Sequence, residues 1–161
     1  LEPEIVSAGS TPAAFGSHRV AGLTEIRPGT YVYNDRTTAA IGACAWADCA
    51  YSVYATVVST AVPGQAVVDA GSKALAREEL RGADGGGFGA LLDRPDVVVS
   101  GLSEEHGILD LSRTDWRPRV GERVRIVPNH VCVSVNLHPR IHGVRGETIE
   151  RTWPVVARGW S

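Results

Sequence analysis

Methionine is absent from the 161-residue chain, lysine occurs once, and aromatic side chains make up only 6%. Because Lys73 is the only lysine, any chemistry that requires a lysine amine must use this residue or one outside the chain. No apolar run approaches the length of a membrane span. The net charge is −2 and the sequence has no basic cluster, so it gives no sign of a nucleic-acid partner. This composition is typical of an ordinary globular domain, with no membrane and no nucleic acid to bind.

Cysteine usage bears on the cellular compartment. Three cysteines are an odd number, which fits a reducing cytoplasm better than a disulfide framework. Cys44 and Cys49 flank a predicted turn, where two packed thiols are favoured over a metal or redox pair. The chain starts without methionine and without a signal-peptide pattern. We therefore expect a fragment or processed piece of a longer cytoplasmic protein.

Short β-rich runs separated by Gly and Pro turns dominate the sequence. One helix or turn is predicted at residues 73–80, where helix formers and pairs of opposite charge occur. About eight short strands with little helix predict a mainly β fold, an antiparallel β-barrel or sandwich. The predicted strands are residues 4–7, 30–33, 50–61, 66–69, 97–99, 107–111, 123–137 as two runs, and 148–156.

The second run of the stretch 123–137 carries a candidate metal pair. It follows Pro128-Asn129 and alternates with period two, which predicts a strand with one apolar and one polar face. On such a strand His130 and Cys132 point the same way, roughly 6.6 Å apart. Imidazole nitrogen and thiolate sulfur together suit a zinc ion. The alternative is a chance pair in which the cysteine is simply a small packed residue.

A possible phosphate cradle lies near the start of the chain. The sequence Ser-Ala-Gly-Ser-Thr-Pro at residues 7–12 follows a predicted strand and supplies backbone N–H groups and hydroxyls. It lacks the glycine spacing and the lysine of the known nucleotide loops. A simple helix cap remains the alternative interpretation.

Five segments in order carry a resemblance to a known family. They are Ser-Ala-Gly-Ser-Thr-Pro at 7–12, Glu-Ile-Arg-Pro-Gly-Thr-Tyr at 25–31, Val-Asp-Ala-Gly-Ser-Lys at 68–73, Ser-Glu-Glu-His-Gly at 103–107 and Pro-Asn-His-Val-Cys at 128–132. Together they resemble the D-threonine aldolase and D-serine dehydratase family. This is the metal-assisted branch of the fold-type III pyridoxal phosphate (PLP) enzymes. The resemblance covers nearly the whole chain.

The resemblance implies a two-domain parent. Such enzymes have an N-terminal (β/α)₈ barrel that holds PLP on a lysine, and a C-terminal β-domain that completes the site. Residues 1–22 would be the end of that barrel with its phosphate loop and linker, and residues 23–161 the β-domain. Since Lys73 does not match the PLP-binding lysine, the fragment alone should be inactive. A homodimer is expected because the family forms one.

The resemblance also assigns site residues. Ser7, Gly9, Ser10 and Thr11 match the phosphate-binding loop, and Tyr31 matches a tyrosine close to the cofactor ring. His130 and Cys132 match the pair that binds zinc or another divalent metal.

Other residues of the family motifs receive no role. Asp69, Glu105 and His106 fall in motifs near the site or the dimer interface without assigned chemistry. No catalytic residue is assigned.

The reaction implied by the resemblance stays open between two lyases of D-β-hydroxy amino acids. A dehydratase would form pyruvate and ammonia from D-serine, and an aldolase would form glycine and an aldehyde. His-x-Cys resembles the zinc pair of the dehydratases, whereas aldolases more typically carry His-x-Asp. Residues 128–137, however, resemble aldolases equally well. Two alternatives are a non-catalytic PLP-binding or dimerisation protein and a bare β-barrel binding module.

Overall fold

The core of the fold is a closed barrel of short strands, in which buried and exposed residues alternate along the chain. The structure, a computed structural model, describes residues 3–80 and 86–159. In strand β3 (Val53–Ser59), Val53, Ala55 and Val57 are buried while Tyr54 is exposed, which is the period-two pattern expected of a strand with one face on a core. The other barrel strands are β4 (Gln65–Val68), β5 (Gly89–Leu91), β6 (Arg94–Leu102), β7 (Gly107–Asp110) and β8 (Arg123–Pro128).

The six barrel strands are antiparallel to their neighbours and follow the order β3-β4-β7-β6-β5-β8, with β8 pairing back to β3. Small and β-branched side chains fill the interior. The fully buried members include Val57, Val68, Val97, Val99, Leu109 and Ile126. Closure removes the exposed edges that an open sheet would present, and it gives a rigid support for the residues at the strand ends.

Two further strand pairs lie outside the barrel sheet. Strands β1 (Ser7–Ala8) and β2 (Glu25–Ile26) form a short parallel pair. Strands β9 (Arg140–Arg145) and β10 (Thr148–Pro154) form an antiparallel ribbon whose side chains are mostly exposed.

The helices are short. They are α1 (Arg36–Ala40), α2 (Ser72–Leu75) and α3 (Val131–Leu137), with single 3₁₀ turns at Thr11–Ala13, Ser17–Arg19, Thr30–Val32 and Trp46–Asp48.

The mainly β prediction is confirmed, as are strands at most of the predicted places. In the described part of the chain, β2, β5 and β9 are additional strands that the sequence pattern did not indicate. No helix among the described residues is long and apolar enough to cross a membrane.

The predicted strand at residues 130–137 is wrong, because this segment is helix α3. Its buried residues, Val131 and Ser134, are spaced by three, as on one face of a helix, and not by two. His130 is the N-cap with extended backbone (φ −137°, ψ 102°), and Cys132 lies in the first helical turn. The pair therefore does not project from one face of a strand.

Two other local predictions also need correction. Residues 30–33 are not a strand, since Thr30–Val32 form a 3₁₀ turn. The helix or turn predicted over residues 73–80 is helical only in α2, which ends at Leu75 and is followed by Ala76. This residue adopts a left-handed conformation (φ 66°) that cannot continue a right-handed helix.

Ile126 tests the barrel core. It is fully buried on β8, so Ile126→Ala should lower the free energy of unfolding by about 2–5 kcal/mol through lost packing and a residual cavity. The matched control is Ile149→Ala on the exposed ribbon, where 59% of the residue is accessible and a change within about 0.5 kcal/mol is expected. Urea unfolding followed by tryptophan fluorescence measures both. Equal losses would contradict the assignment of the core.

Candidate functional site

The site is organised by one buried carboxylate that serves two helices. Asp35 is the N-cap of α1, and its Oδ1 accepts a hydrogen bond from the backbone N–H of Thr38 at 2.8 Å. Its Oδ2 accepts from the backbone N–H of Val131, the first residue of α3, at 3.0 Å. Asp35 is only 2% exposed. The same side chain thus satisfies a free donor at each helix start, and it holds the residue that separates His130 from Cys132.

A second buried side chain, that of Asn129, ties the neighbouring backbone together. Its Nδ2 donates to the carbonyl oxygens of Glu78 (2.9 Å) and Gly87 (2.8 Å). Its Oδ1 accepts from the Arg36 guanidinium at 3.2 Å, and burial lowers the pKa of that guanidinium. Asn129 therefore joins three segments: α1, the segment after α2 and the loop before β5. It is also the residue directly before His130 in the sequence.

The far end of α3 is anchored on α2. Ser134 is fully buried, and its hydroxyl donates to the carbonyl of Ala74 at 2.7 Å. The Nε2 of His138 lies 3.0 Å from the same carbonyl, and the Tyr51 hydroxyl lies 3.2 Å from Ser134 Oγ. Burial raises the pKa of Tyr51. These contacts fix the orientation of the helix that carries Cys132.

The candidate metal residues face outward from this anchored helix start. The Cys132 thiol is exposed, and its Sγ lies 3.7 Å from the hydroxyl of Thr30. The His130 imidazole is about one-third exposed, and its Nδ1 lies 3.6 Å from Oε2 of Glu78. No group of three or more His, Cys, Asp or Glu side chains with metal-binding geometry occurs within residues 3–80 and 86–159. A metal here would have His130 and Cys132 as its two protein ligands from the described chain.

The candidate phosphate loop forms the other half of the region. Gly9 has φ +105°, a conformation that favours glycine, and it turns the chain after β1. The Ser7 hydroxyl contacts Glu25 and the Arg27 guanidinium on the adjoining β2 segment. Thr11 is buried, and its hydroxyl accepts from the backbone N–H of Tyr31 at 3.1 Å.

Two consecutive residues connect the two halves. The backbone of Tyr31 is bonded to Thr11 of the phosphate loop, and the side chain of Thr30 contacts Cys132 of the metal pair. The Tyr31 side chain is 56% exposed. The structure thus brings the loop, Tyr31, His130 and Cys132 into one region. The Thr30–Cys132 contact joins residues that are more than 100 positions apart along the chain.

Asp69, Glu105 and His106, to which the sequence analysis assigned no chemistry, make contacts outside the candidate site. Asp69 accepts from the backbone N–H of Thr56 at 2.6 Å. Glu105 forms an exposed ion pair with Lys73, and His106 donates its backbone N–H to the Ser103 hydroxyl at 3.2 Å. The contact of Asp69 joins the end of β4 to β3, whereas those of Glu105 and His106 organise the loop between β6 and β7 against α2.

Several residues of the site escaped the sequence analysis. Asp35 carried a detectable signal, because Asp-Arg-Thr-Thr at 35–38 has the spacing of a helix cap with its third-position partner. Arg27 lies within a family motif that was noted without a role for it. Asn129 likewise lies within the quoted Pro-Asn-His-Val-Cys motif without a role. Glu78 had no signal, since its role depends on a contact across 51 residues of chain.

The chain matches the sequence family described as "Putative serine dehydratase domain" over residues 50–144. It is 37% identical over 170 residues to D-threo-3-hydroxyaspartate dehydratase of Delftia sp. strain HT23, and the match covers 97% of this chain and 44% of that enzyme. An uncharacterized protein of Mycobacterium tuberculosis is 41% identical over 123 residues, covering 74% of this chain and 91% of that protein.

Solved structures agree. D-threonine aldolase from Filomicrobium marinum matches with a TM-score of 0.81 at 36% identity, over 99% of this chain and 43% of the aldolase. D-threo-3-hydroxyaspartate dehydratase with a His-to-Ala substitution matches with a TM-score of 0.84 at 34% identity, over 96% of this chain and 43% of the dehydratase chain. A metal-free form of the same dehydratase with a Cys-to-Ala substitution has a TM-score of 0.78 at 35% identity. That match covers 93% of this chain and 43% of the dehydratase chain. The two substituted positions are two residues apart.

The barrel and its anchored helix are those of the β-domain of alanine racemase-like enzymes. Within that class, the chain belongs to the D-threonine aldolase and D-serine dehydratase family of fold-type III PLP enzymes. It spans less than half the length of the Delftia dehydratase.

Removing the shared carboxylate should destabilise the fold. Asp35→Ala leaves the buried N–H groups of Thr38 and Val131 without their acceptor, so we expect the free energy of unfolding to fall by about 2–4 kcal/mol. Asp35→Asn retains an amide oxygen and should cost less. Asp96→Asn, on the exposed part of β6, is the control. Urea denaturation tests this, and similar losses at positions 35 and 96 would contradict it.

Thiol reactivity should separate the cysteines. Burial, followed by the neighbouring Cys44 thiol, raises the pKa of Cys49 to about 12, so Cys49 stays protonated and unreactive at neutral and mildly alkaline pH. Exposed Cys132 should be alkylated by iodoacetamide first, and Cys49 only after denaturation. Mass spectrometry of the labelled peptides measures the order. Rapid labelling of Cys49 in the native protein would show that the site of Cys49 is open.

Proposed function

We propose that this chain is the C-terminal part of a metal-dependent PLP lyase that acts on D-β-hydroxy amino acids by dehydration or aldol cleavage. In this proposal residues 1–22 are the end of a PLP-binding barrel and residues 23–161 are the β-domain that completes the site. The enzymes that the chain matches are more than twice its length, which leaves room for such a barrel. The PLP-binding lysine would lie in that barrel, and two copies would form a homodimer.

The observation that carries this proposal is the pair of contacts at Thr30 and Tyr31. Tyr31 is bonded to Thr11 of the proposed phosphate loop, while Thr30 contacts Cys132 of the proposed metal pair. A lyase of this kind needs the cofactor and the metal at one substrate. The observed contacts bring the two sets of binding groups to the same surface.

The donor set fits a divalent metal. The imidazole of His130 is about one-third exposed and the thiol of Cys132, two residues later, is exposed, and both groups are zinc ligands of the usual type. Two protein ligands leave open positions, as a catalytic metal site requires. The dehydratase structures with His and Cys substitutions two positions apart, one of them metal-free, support the His130-x-Cys132 assignment.

Each group of residues would have one task. Ser7, Gly9, Ser10 and Thr11 would hold the cofactor phosphate, with Tyr31 beside the ring. When bound, PLP supplies an electron sink for the carbanion at Cα, and a divalent ion supplies Lewis acidity toward the substrate's β-hydroxyl. His130 and Cys132 would hold that ion on the helix start fixed by Asp35.

A second candidate is a non-catalytic PLP-binding or dimerisation protein. The mycobacterial relative favours it, because the match accounts for 91% of that protein and leaves little length for a second domain. The partly exposed imidazole of His130 and the exposed thiol of Cys132 count against it, since a domain used only for dimerisation does not need a zinc-type donor pair.

Product analysis tests the proposed function. The full-length protein with PLP is incubated separately with D-serine, D-threonine and D-threo-3-hydroxyaspartate, with and without a chelator. We expect lyase products that a chelator abolishes, and a loss of at least about 100-fold in kcat/KM in His130→Ala and Cys132→Ala because the metal is no longer held.

The matched control is Cys44→Ala, which removes a thiol that is not a proposed ligand. Pyruvate from D-serine would indicate a dehydratase, and glycine from D-threonine an aldolase. Activity that survives both the chelator and Cys132→Ala would refute the metal assignment. No product from any of these substrates would favour the non-catalytic candidate.

A further inference from the structure

We propose that Glu78 is a positioning residue for His130: its carboxylate accepts the Nδ1–H of the imidazole and so leaves Nε2 free for the metal. The proposal rests on the proposed metal site. The Glu78 Oε2 to His130 Nδ1 distance is 3.6 Å, which is within ion-pair range and longer than a hydrogen bond.

The backbone of Glu78 is built into this position. Helix α2 ends at Leu75, and the next residue, Ala76, has a φ of 66°, which is unusual for a residue with a Cβ and redirects the chain. Two residues later, the carbonyl of Glu78 accepts a hydrogen bond from Nδ2 of Asn129 at 2.9 Å. Asn129 is 1% exposed and immediately precedes His130. Both side chains therefore start from backbone that is fixed by one buried amide.

The chemistry of imidazole explains what such a contact does. A neutral imidazole carries one N–H and one free lone pair, and the partner of the first nitrogen decides which nitrogen can bind a metal. A carboxylate beside Nδ1 stabilises the Nδ1–H form and orients the ring. Metal-binding histidines commonly have such a carboxylate partner, and its loss weakens metal binding. The Glu78 and His130 side chains are 30% and 35% exposed, so solvent screens the contact less than an ordinary surface pair.

Zinc affinity tests the proposal without using activity. The full-length metal-free protein is titrated with Zn²⁺ in competition with a chromophoric chelator. Glu78→Leu should weaken zinc binding about 10- to 100-fold, and Glu78→Gln less, because its amide oxygen still accepts the Nδ1–H. Glu79→Gln, the adjacent exposed carboxylate, is the control and should leave the affinity unchanged.

Cobalt substitution distinguishes a positioning residue from a ligand. At saturating Co²⁺, Glu78→Gln and Glu78→Leu should keep both the thiolate-to-cobalt charge-transfer band and the d–d bands of the unmodified protein. Cys132→Ala should lose the charge-transfer band. Zinc affinity of Glu78→Leu within about twofold of the unmodified protein would overturn the positioning role. Altered d–d bands in Glu78→Gln would make Glu78 a ligand and would overturn it as well.

Failure of the proposed metal site has a different signature. If the unmodified protein binds no zinc, or if Cys132→Ala binds zinc as tightly as the unmodified protein, the His130–Cys132 site itself is refuted.

Discussion

One carboxylate, that of Asp35, holds the functional end of this domain in place. It accepts backbone N–H groups from α1 and from α3, two helices of five and seven residues. Helices this short are not stable alone in water, so their capping and packing decide whether they form. The two oxygens of its carboxyl group serve one helix each, so a single side chain caps both. Because Val131 is one of its partners, Asp35 sets the positions of His130 and Cys132 on either side.

The barrel provides the support that this arrangement needs. Strand β8 ends at Pro128, where it pairs with Gly89 of β5, and Asn129 follows directly. Asn129 then ties Arg36, Glu78 and Gly87 to the strand end. Binding residues held on a rigid element with a second layer of hydrogen bonds are placed more precisely than residues on a free loop. The surface side chains of the proposed site are thus positioned by a buried polar layer, formed by Asp35 and Asn129. This layer is attached to the barrel at the end of β8.

The sequence predicted the barrel better than the site. Strands β3 and β8 were predicted because their sequences are rich in β-branched residues and lie between turn signals, whereas the exposed ribbon strand β9 had no such pattern. At residues 130–137 the alternating valines indicated a strand, but the competing helix is capped by Asp35, 96 residues earlier in the chain. No local pattern contains that contact. His130 and Cys132 were identified by resemblance to the family, while Glu78 and Asn129 required the three-dimensional contacts.

The polar layer beneath the site also distinguishes two kinds of metal centre. In a structural zinc site the free energy of metal binding contributes to folding, because the ligands come together only in the folded chain. Here Asp35, Asn129 and Ser134 are buried but already paired with the protein, and no buried side-chain nitrogen or oxygen in the described residues lacks a partner. The proposed ligands are instead at the surface. The buried polar side chains of the described residues are thus satisfied without a metal, which fits the proposed role of His130 and Cys132 in serving a substrate.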